Sequence, residues 1–209
     1  MEYRRLGKSG LKVSALSLGS WVTFGKQVDM SDAKTLLKSA YDKGVNFFDN
    51  AEGYEAGESE KIMGEAICAL GLSRDSYALS SKVYWGGAKP TQMGLSAKHV
   101  RDACDAALIR LKVDYLDLFY CHRPDVDTPI EETTRAMHNL VQQGKIMYWG
   151  TSMWSAAQIA AAQAAAERLY TMTSTFFLLI FSPLASTLHT CARIPEMRDL
   201  CCTARQFRY

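Results

Sequence analysis

The stretch "GVNFFDNAEGY", Gly44–Tyr54, decides the fold. Two phenylalanines run into an aspartate, and a tyrosine follows five residues later among glycine, glutamate and asparagine. A short apolar run bounded by glycine and a polar cluster predicts a buried strand. Asp49 is then either a solvated turn residue or the end of that strand at a place where chemistry happens. The neighbouring sequence separates the two.

Working outward, strand and helix periodicities alternate. "SALSLGS" (14–20) is a short apolar run, followed by a helical pattern at Ala33, Leu36, Leu37, Ala40 and Tyr41, with Gly44 placed to end it. After the opening stretch come a helix around Ile62–Ala69, a strand "YALSSK" (77–82), and a helix carrying Val100, Cys104, Ala107, Leu108 and Leu111. "DYLDLFYCH" (114–122) is the next strand. "TPIEETTRAMHNLVQQG" (128–144) is a helix with Thr128 as N-cap, Pro129 in first position and Gly144 at its end. "KIMYWGTS" (145–152) and "SAAQIAAAQAAAERL" (155–169) add a fifth pair.

Successive βα units at a spacing of about thirty residues imply a parallel sheet covered by helices. A doubly wound nucleotide fold would place GxGxxG after its first strand, whereas this turn reads "GSWVTFGKQ". The later strands each end on a polar residue: Asp49, Lys82, His122 and Ser152. Polar side chains converging from several strand ends are how barrel active sites are assembled. The expected class is therefore α/β, a (β/α)8 TIM barrel incomplete at its C-terminal end, with about five to six βα units.

Composition bounds the function. The chain has 209 residues, 48% hydrophobic and 22% charged, which suits one domain. A net charge of +2 argues against nucleic acid or an anionic membrane as partner. The start, "MEYRRLGKSG", has no apolar core of a secretory signal. The longest apolar run, "FFLLIF" (176–181), is too short to span a bilayer as a helix, so no membrane insertion is expected. Cysteines 68, 104, 121, 191, 201 and 202 show no metal spacing and read as reduced thiols of a cytoplasmic protein with no metal site.

Asp49, Tyr54, Lys82 and His122 at one rim make a definite chemical proposal. A tyrosine hydroxyl has a pKa near 10 and is a poor donor to a carbonyl at neutral pH. A lysine ammonium beside it lowers that pKa, and an aspartate holds the lysine charged and in place. A histidine nearby can hydrogen-bond the substrate oxygen. Such a group polarises and protonates a carbonyl, and the hydride must come from a cofactor, since no side chain supplies one. Taken singly, each residue has a blander reading as a turn, surface or packing group, as do Trp21, Trp85, Trp149 and Trp154. The case rests on the four falling at equivalent strand edges.

The chain resembles the aldo-keto reductases, and within them the branch of the voltage-gated potassium channel β-subunits. The matching stretches are "YRRLGKSGLKVSALSLGSWVTFG", "FFDNAEGYEAGESEKIMG", "SKVYWGG", "DYLDLFYCHRPD", "TPIEETTRAM" and "GKIMYWGTSMWS", covering residues 3 to about 168. The resemblance implies a catalytic tetrad of Asp49, Tyr54, Lys82 and His122 reducing a small-molecule carbonyl, with NADPH as hydride donor. It implies cofactor contacts at Ser20, Trp21, Gln27, Asp49 and Ser152, an N-terminal hairpin plugging the barrel bottom, and a homo-oligomer, a tetramer in channel-type relatives. Its alternative implication is a non-catalytic regulatory subunit of channel-β type.

The resemblance covers 1–169 as barrel. After Leu169 the family's sixth strand is not recognisable, and "FSPLAS" (181–186), in a displaced segment 170–188, resembles a seventh-strand loop. That match adds Ser182, Leu184 and Ser186 as cofactor contacts. Residues 189–209 match nothing in the family and read as a poorly ordered tail. The expectation is an aldo-keto reductase by descent, C-terminally truncated, with activity impaired in this form or lost.

Overall fold

The computed structural model describes residues 1–169, apart from Lys8, Val22 and Lys26, and the backbone of Leu179–Phe181. Ser182, Leu184, Ser186 and the segment 189–209 lie outside the described residues. Two antiparallel strands, β1 (Tyr3–Arg5) and β2 (Lys12–Ser14), form a hairpin. A parallel sheet then alternates with helices: β3 (Leu18–Gly19), α1 (Met30–Asp42), β4 (Phe47–Asp49), α2 (Glu58–Leu70), β5 (Ala78–Val83), α3 (Ala97–Leu111), β6 (Leu116–Cys121), α4 (Ile130–Gln142), β7 (Ile146–Ser152), α5 (Ala156–Leu169) and β8 (Leu179–Phe181).

The six strands β3 to β8 lie in sequence order and all pair parallel, as expected of a (β/α) barrel wall that is open among the described residues. A strand does follow α5: Leu179–Phe181 pairs with Gly150–Ser152 in the sixth place. Sequence reading found no sixth strand there because the run matches no family strand, yet a short apolar run is sufficient to extend a parallel sheet edge.

Period-two alternation divides the sheet's contacts. Phe47, Ala78, Leu118 and Tyr120 pack with Leu6 and Val13 from the hairpin, which closes the N-terminal end of the barrel interior. The opposite faces, with Phe48, Leu79, Phe119 and Cys121, pack under the helices. Tyr3 Oη donates to the Gly44 carbonyl at 2.9 Å and ties the hairpin to the start of β4.

Local chemistry sets the helix ends. Asp29 caps α1 by accepting from Asp32 N at 3.0 Å, and Ser96 caps α3 through His99 N at 3.3 Å. The expected Thr128 cap of α4 is not made. Pro129 occupies that place, and the Thr128 hydroxyl donates to Asp125 Oδ2 at 2.7 Å, because that carboxylate gathers the whole loop before the helix. Helix α2 meets the end of α3 so closely that a Cβ on Gly64 would lie 2.6 Å from the Arg110 carbonyl. At the same crossing Glu60, fully buried, takes Arg110 Nε at 2.6 Å and the Ser81 hydroxyl at 2.5 Å. Among the described residues no helix is long and apolar enough to cross a membrane.

Candidate active site

The C-terminal ends of β4, β5 and β6 bring Asp49, Tyr54, Lys82 and His122 together. Lys82 is the hub. Its Nζ lies 2.6 Å from Asp49 Oδ2, 2.7 Å from the Asn50 carbonyl and 3.1 Å from Tyr54 Oη. Parallel register places Asp49 opposite Ser80, whose hydroxyl donates to Asp49 Oδ1 at 2.6 Å. Ser80 and Lys82, two apart on β5, project to the same side, so one strand supplies both partners of the carboxylate.

Tyr54 is held by an unusual turn. The two residues after it, Glu55 and Ala56, have φ of 48° and 51°, in the left-handed region that costs a non-glycine residue about 1 kcal/mol each. Gly57 follows at φ 88° and leads into α2, packed against the Arg110 guanidinium. The loop is thereby bent back over the rim and kept there.

Electrostatics sharpen the roles. Burial alone lowers the Lys82 pKa, but the Asp49 charge, Tyr54 and the hydrogen bonds to both outweigh it, so the ammonium titrates above its usual range. Tyr54 departs from expectation. Burial, together with the Asp49 charge, raises its pKa despite Lys82 and Arg123, so the phenol stays protonated at neutral pH. Its oxygen accepts from Lys82, which leaves its own proton unused among the described residues.

Burial, Lys82 and Arg123 together lower the His122 pKa from 6.5 to about 3, so the imidazole is neutral at pH 7. Its Nδ1 is buried without a hydrogen-bond partner among the described residues. The sign of the linkage follows: between those two values the unfolded chain takes a proton that the folded chain refuses, so stability falls as pH drops from about 6.5 towards about 3. Thermal melts across that window should show a shallower loss for His122→Gln than for the parent. An unchanged slope would remove His122 as its source.

The expected cofactor contacts are spread around this rim. The buried Ser20 donates to the Asp49 carbonyl at 3.1 Å, which fixes the end of β4. The Trp21 indole is 57% exposed, with its centroid 6.4 Å from that of the Tyr54 ring. Gln27 lies in an exposed turn, its backbone N–H bonded to the Thr23 carbonyl. Ser152 is buried at the end of β7 and makes no side-chain hydrogen bond among the described residues.

Sequence reading missed the second layer. Glu52 Oε1 accepts from Tyr84 N at 2.6 Å, and Oε2 lies 3.4 Å from His99 Nε2. The other His99 ring nitrogen, Nδ1, lies 2.8 Å from the Gly94 carbonyl. These bonds pin both stems of the loop 84–94, whose Trp85 stacks edge-on against His122 at 4.9 Å between centroids. Trp85 was expected only to pack. The signal was its place three residues after Lys82, on the connection leaving the rim. Two outer clefts of ≈ 470 and ≈ 510 Å³, between α3 and α4 and along α1, include none of these residues.

Comparison with known proteins supplies the family. The profile of the Aldo/keto reductase family matches residues 15–175. A "Probable voltage-gated potassium channel subunit beta" of Arabidopsis thaliana is 56% identical over 169 residues, which cover 81% of this chain and 52% of that protein. A protein of the same description in Oryza sativa subsp. japonica is 53% identical over the same spans. The chain spans about half the length of these curated relatives. With the family profile covering most of its length, the chain belongs to the aldo/keto reductase family.

Proposed function

We propose that the chain is an oxidoreductase that reduces aldehydes or ketones to alcohols with NADPH, Tyr54 acting as general acid. One observation carries the reading: a single buried ammonium, Lys82 Nζ, bonds Asp49 at 2.6 Å and Tyr54 Oη at 3.1 Å at once. The carbonyl oxygen sits within reach of Tyr54 Oη and His122. As negative charge develops on it, Tyr54 gives up its proton, and Lys82 stabilises the phenolate left behind. Asp49 keeps Lys82 charged and aimed. His122, neutral, orients the carbonyl through a ring N–H and does not itself carry the proton across.

The nicotinamide cofactor supplies hydride when bound. The exposed indole plane of Trp21 beside Tyr54 suits the flat ring of that group, and Ser152, one strand beyond His122, offers a hydroxyl that bonds none of the described residues. Ser182, Leu184 and Ser186 belong to the same proposed contact set. The protein is further proposed to work in the cytoplasm and to assemble as a homo-oligomer.

Loss of NADPH absorbance on adding 4-nitrobenzaldehyde tests the reading. Aldehyde-dependent oxidation with formation of the alcohol is expected; oxidation that does not depend on the aldehyde would refute it. The printed description of the relatives favours a second reading, a channel-β-type regulatory subunit. Co-purification with a potassium channel, without any turnover, would select that one.

A further inference from the structure

Arg123 follows His122 directly, on the loop leaving β6, and is half-buried at the rim. Its guanidinium lies over the Trp85 ring, 5.2 Å from the centroid, and Nη1 donates to the His122 carbonyl at 2.6 Å. Stacking and this one bond fix the plane of the fork. Nε and Nη2 make no hydrogen bond to any described residue, and no carboxylate among the described residues pairs with Arg123. The acid next in sequence, Asp125, is already committed. Its Oδ2 accepts from Leu95 N and Thr128 Oγ1, both at 2.7 Å, and its Oδ1 from Asp127 N at 3.1 Å.

The charges at the rim therefore do not cancel. Asp49 and Lys82 neutralise each other at 2.6 Å, and Tyr54 and His122 are uncharged at neutral pH. Among the described residues no carboxylate opposes Arg123, and its field is felt at both Tyr54 and His122. Its guanidinium lies over the exposed Trp85 indole, which meets His122 edge-on, while the exposed Trp21 indole stands by Tyr54. An exposed indole carrying one oriented guanidinium has the chemistry to receive a flat hydrophobic body bearing a carboxylate.

We propose that Arg123 is a specificity-determining residue that selects carbonyl substrates bearing an anionic group, with aromatic aldehydes carrying a carboxylate as the favoured class. This rests on the reductase reading above for its catalytic consequence, and on the geometry alone for binding. The free edge of the guanidinium takes the carboxylate while Trp85 backs the ring, and the aldehyde is left at Tyr54 and His122.

Two neutral-versus-anionic pairs test it. With NADPH, 4-carboxybenzaldehyde should have a KM about tenfold below that of its neutral isostere 4-formylbenzamide, with similar kcat. Arg123→Met should abolish that preference, Arg123→Lys should keep part of it, and the KM for NADPH should stay the same. Raised salt should shrink the preference in the parent. Equal losses on both aldehydes in Arg123→Met would overturn the proposal and leave Arg123 as a loop tie. A rise in the KM for NADPH with the preference intact would assign Arg123 to the cofactor phosphates instead.

The second pair needs no turnover. Benzoate and benzamide are titrated into parent and Arg123→Met and followed by tryptophan fluorescence. Tighter benzoate binding in the parent alone supports the inference, even if neither aldehyde is reduced and the reductase reading falls. Equal binding of the two ligands by the parent overturns it. Circular dichroism confirms that the variants are folded.

Discussion

On the proposed reductase reading, Tyr54→Phe should lower aldehyde reduction by at least about a hundredfold, the scale on which a positioned proton donor acts. Thermal stability and NADPH binding should stay close to the parent. The change removes one oxygen that accepts from Lys82 at 3.1 Å, while Lys82 keeps Asp49 and the Asn50 carbonyl. The aromatic ring, with its contacts to Trp21 and His122, remains. Loss of rate without loss of fold or cofactor is therefore the expected signature of the proton donor. The decisive measurement is kcat alongside an NADPH titration. A variant that keeps its rate within about threefold would place the proton source elsewhere.

Lys82→Met should fail differently, in stability as well as rate. Lys82 is 4% and Asp49 13% exposed at their side chains, so the pair is buried. Among the described residues, removing the cation leaves the Asp49 carboxylate with the Ser80 hydroxyl alone, and breaking such a pair costs about 3–5 kcal/mol. The rate should fall at least as far as in Tyr54→Phe, because the developing phenolate loses its counter-charge. The double change Asp49→Asn with Lys82→Met separates the two effects. It should restore much of the lost stability, since no buried charge is left unpaired, yet restore none of the rate. Urea unfolding of the parent, both single variants and the double supplies the cycle. Strict additivity of the two stability losses would mean that the pair is not coupled as its geometry indicates.

The fold was legible where a local pattern survives burial. "NFFDN", "YALSS" and "DLFYC" announce strands because short apolar runs bounded by polar clusters have few other uses, and β4, β5 and β6 fall on them. The first barrel strand was harder. Only Leu18–Gly19 pair as strand, although seven residues carried the pattern, because the ladder with β4 lasts only two positions. The meeting of Asp49, Tyr54, Lys82 and His122 was readable from their strand-end positions. The sign of the Tyr54 shift was not. A list of neighbours shows Lys82 beside the phenol, but only three-dimensional packing shows that burial outweighs it. Glu52 and Arg123 were invisible for a related reason. A buried glutamate that bonds a backbone N–H across a gap of 32 residues leaves no periodic trace, and an arginine in a loop looks solvated until the ring beneath it is known.

The Glu52–His99 clamp has a consequence for how this protein can change over generations. A Cβ on Gly86 would stand 2.6 Å from His99 Nε2 and 2.8 Å from Glu52 Oε2, so positions 52, 86 and 99 share one small space. Replacing Glu52 alone takes a partner from His99 Nε2 and from Tyr84 N, and replacing His99 alone takes one from Glu52 Oε2, on a side chain 4% exposed. Changes at positions 52, 86 and 99 are thus coupled, and a larger residue at Gly86 needs Glu52 or His99 to give way. Substitution in the loop beside Tyr54 therefore meets least resistance at its exposed tip, Ala88 to Thr91, and most at the stems that hold Trp85 against His122.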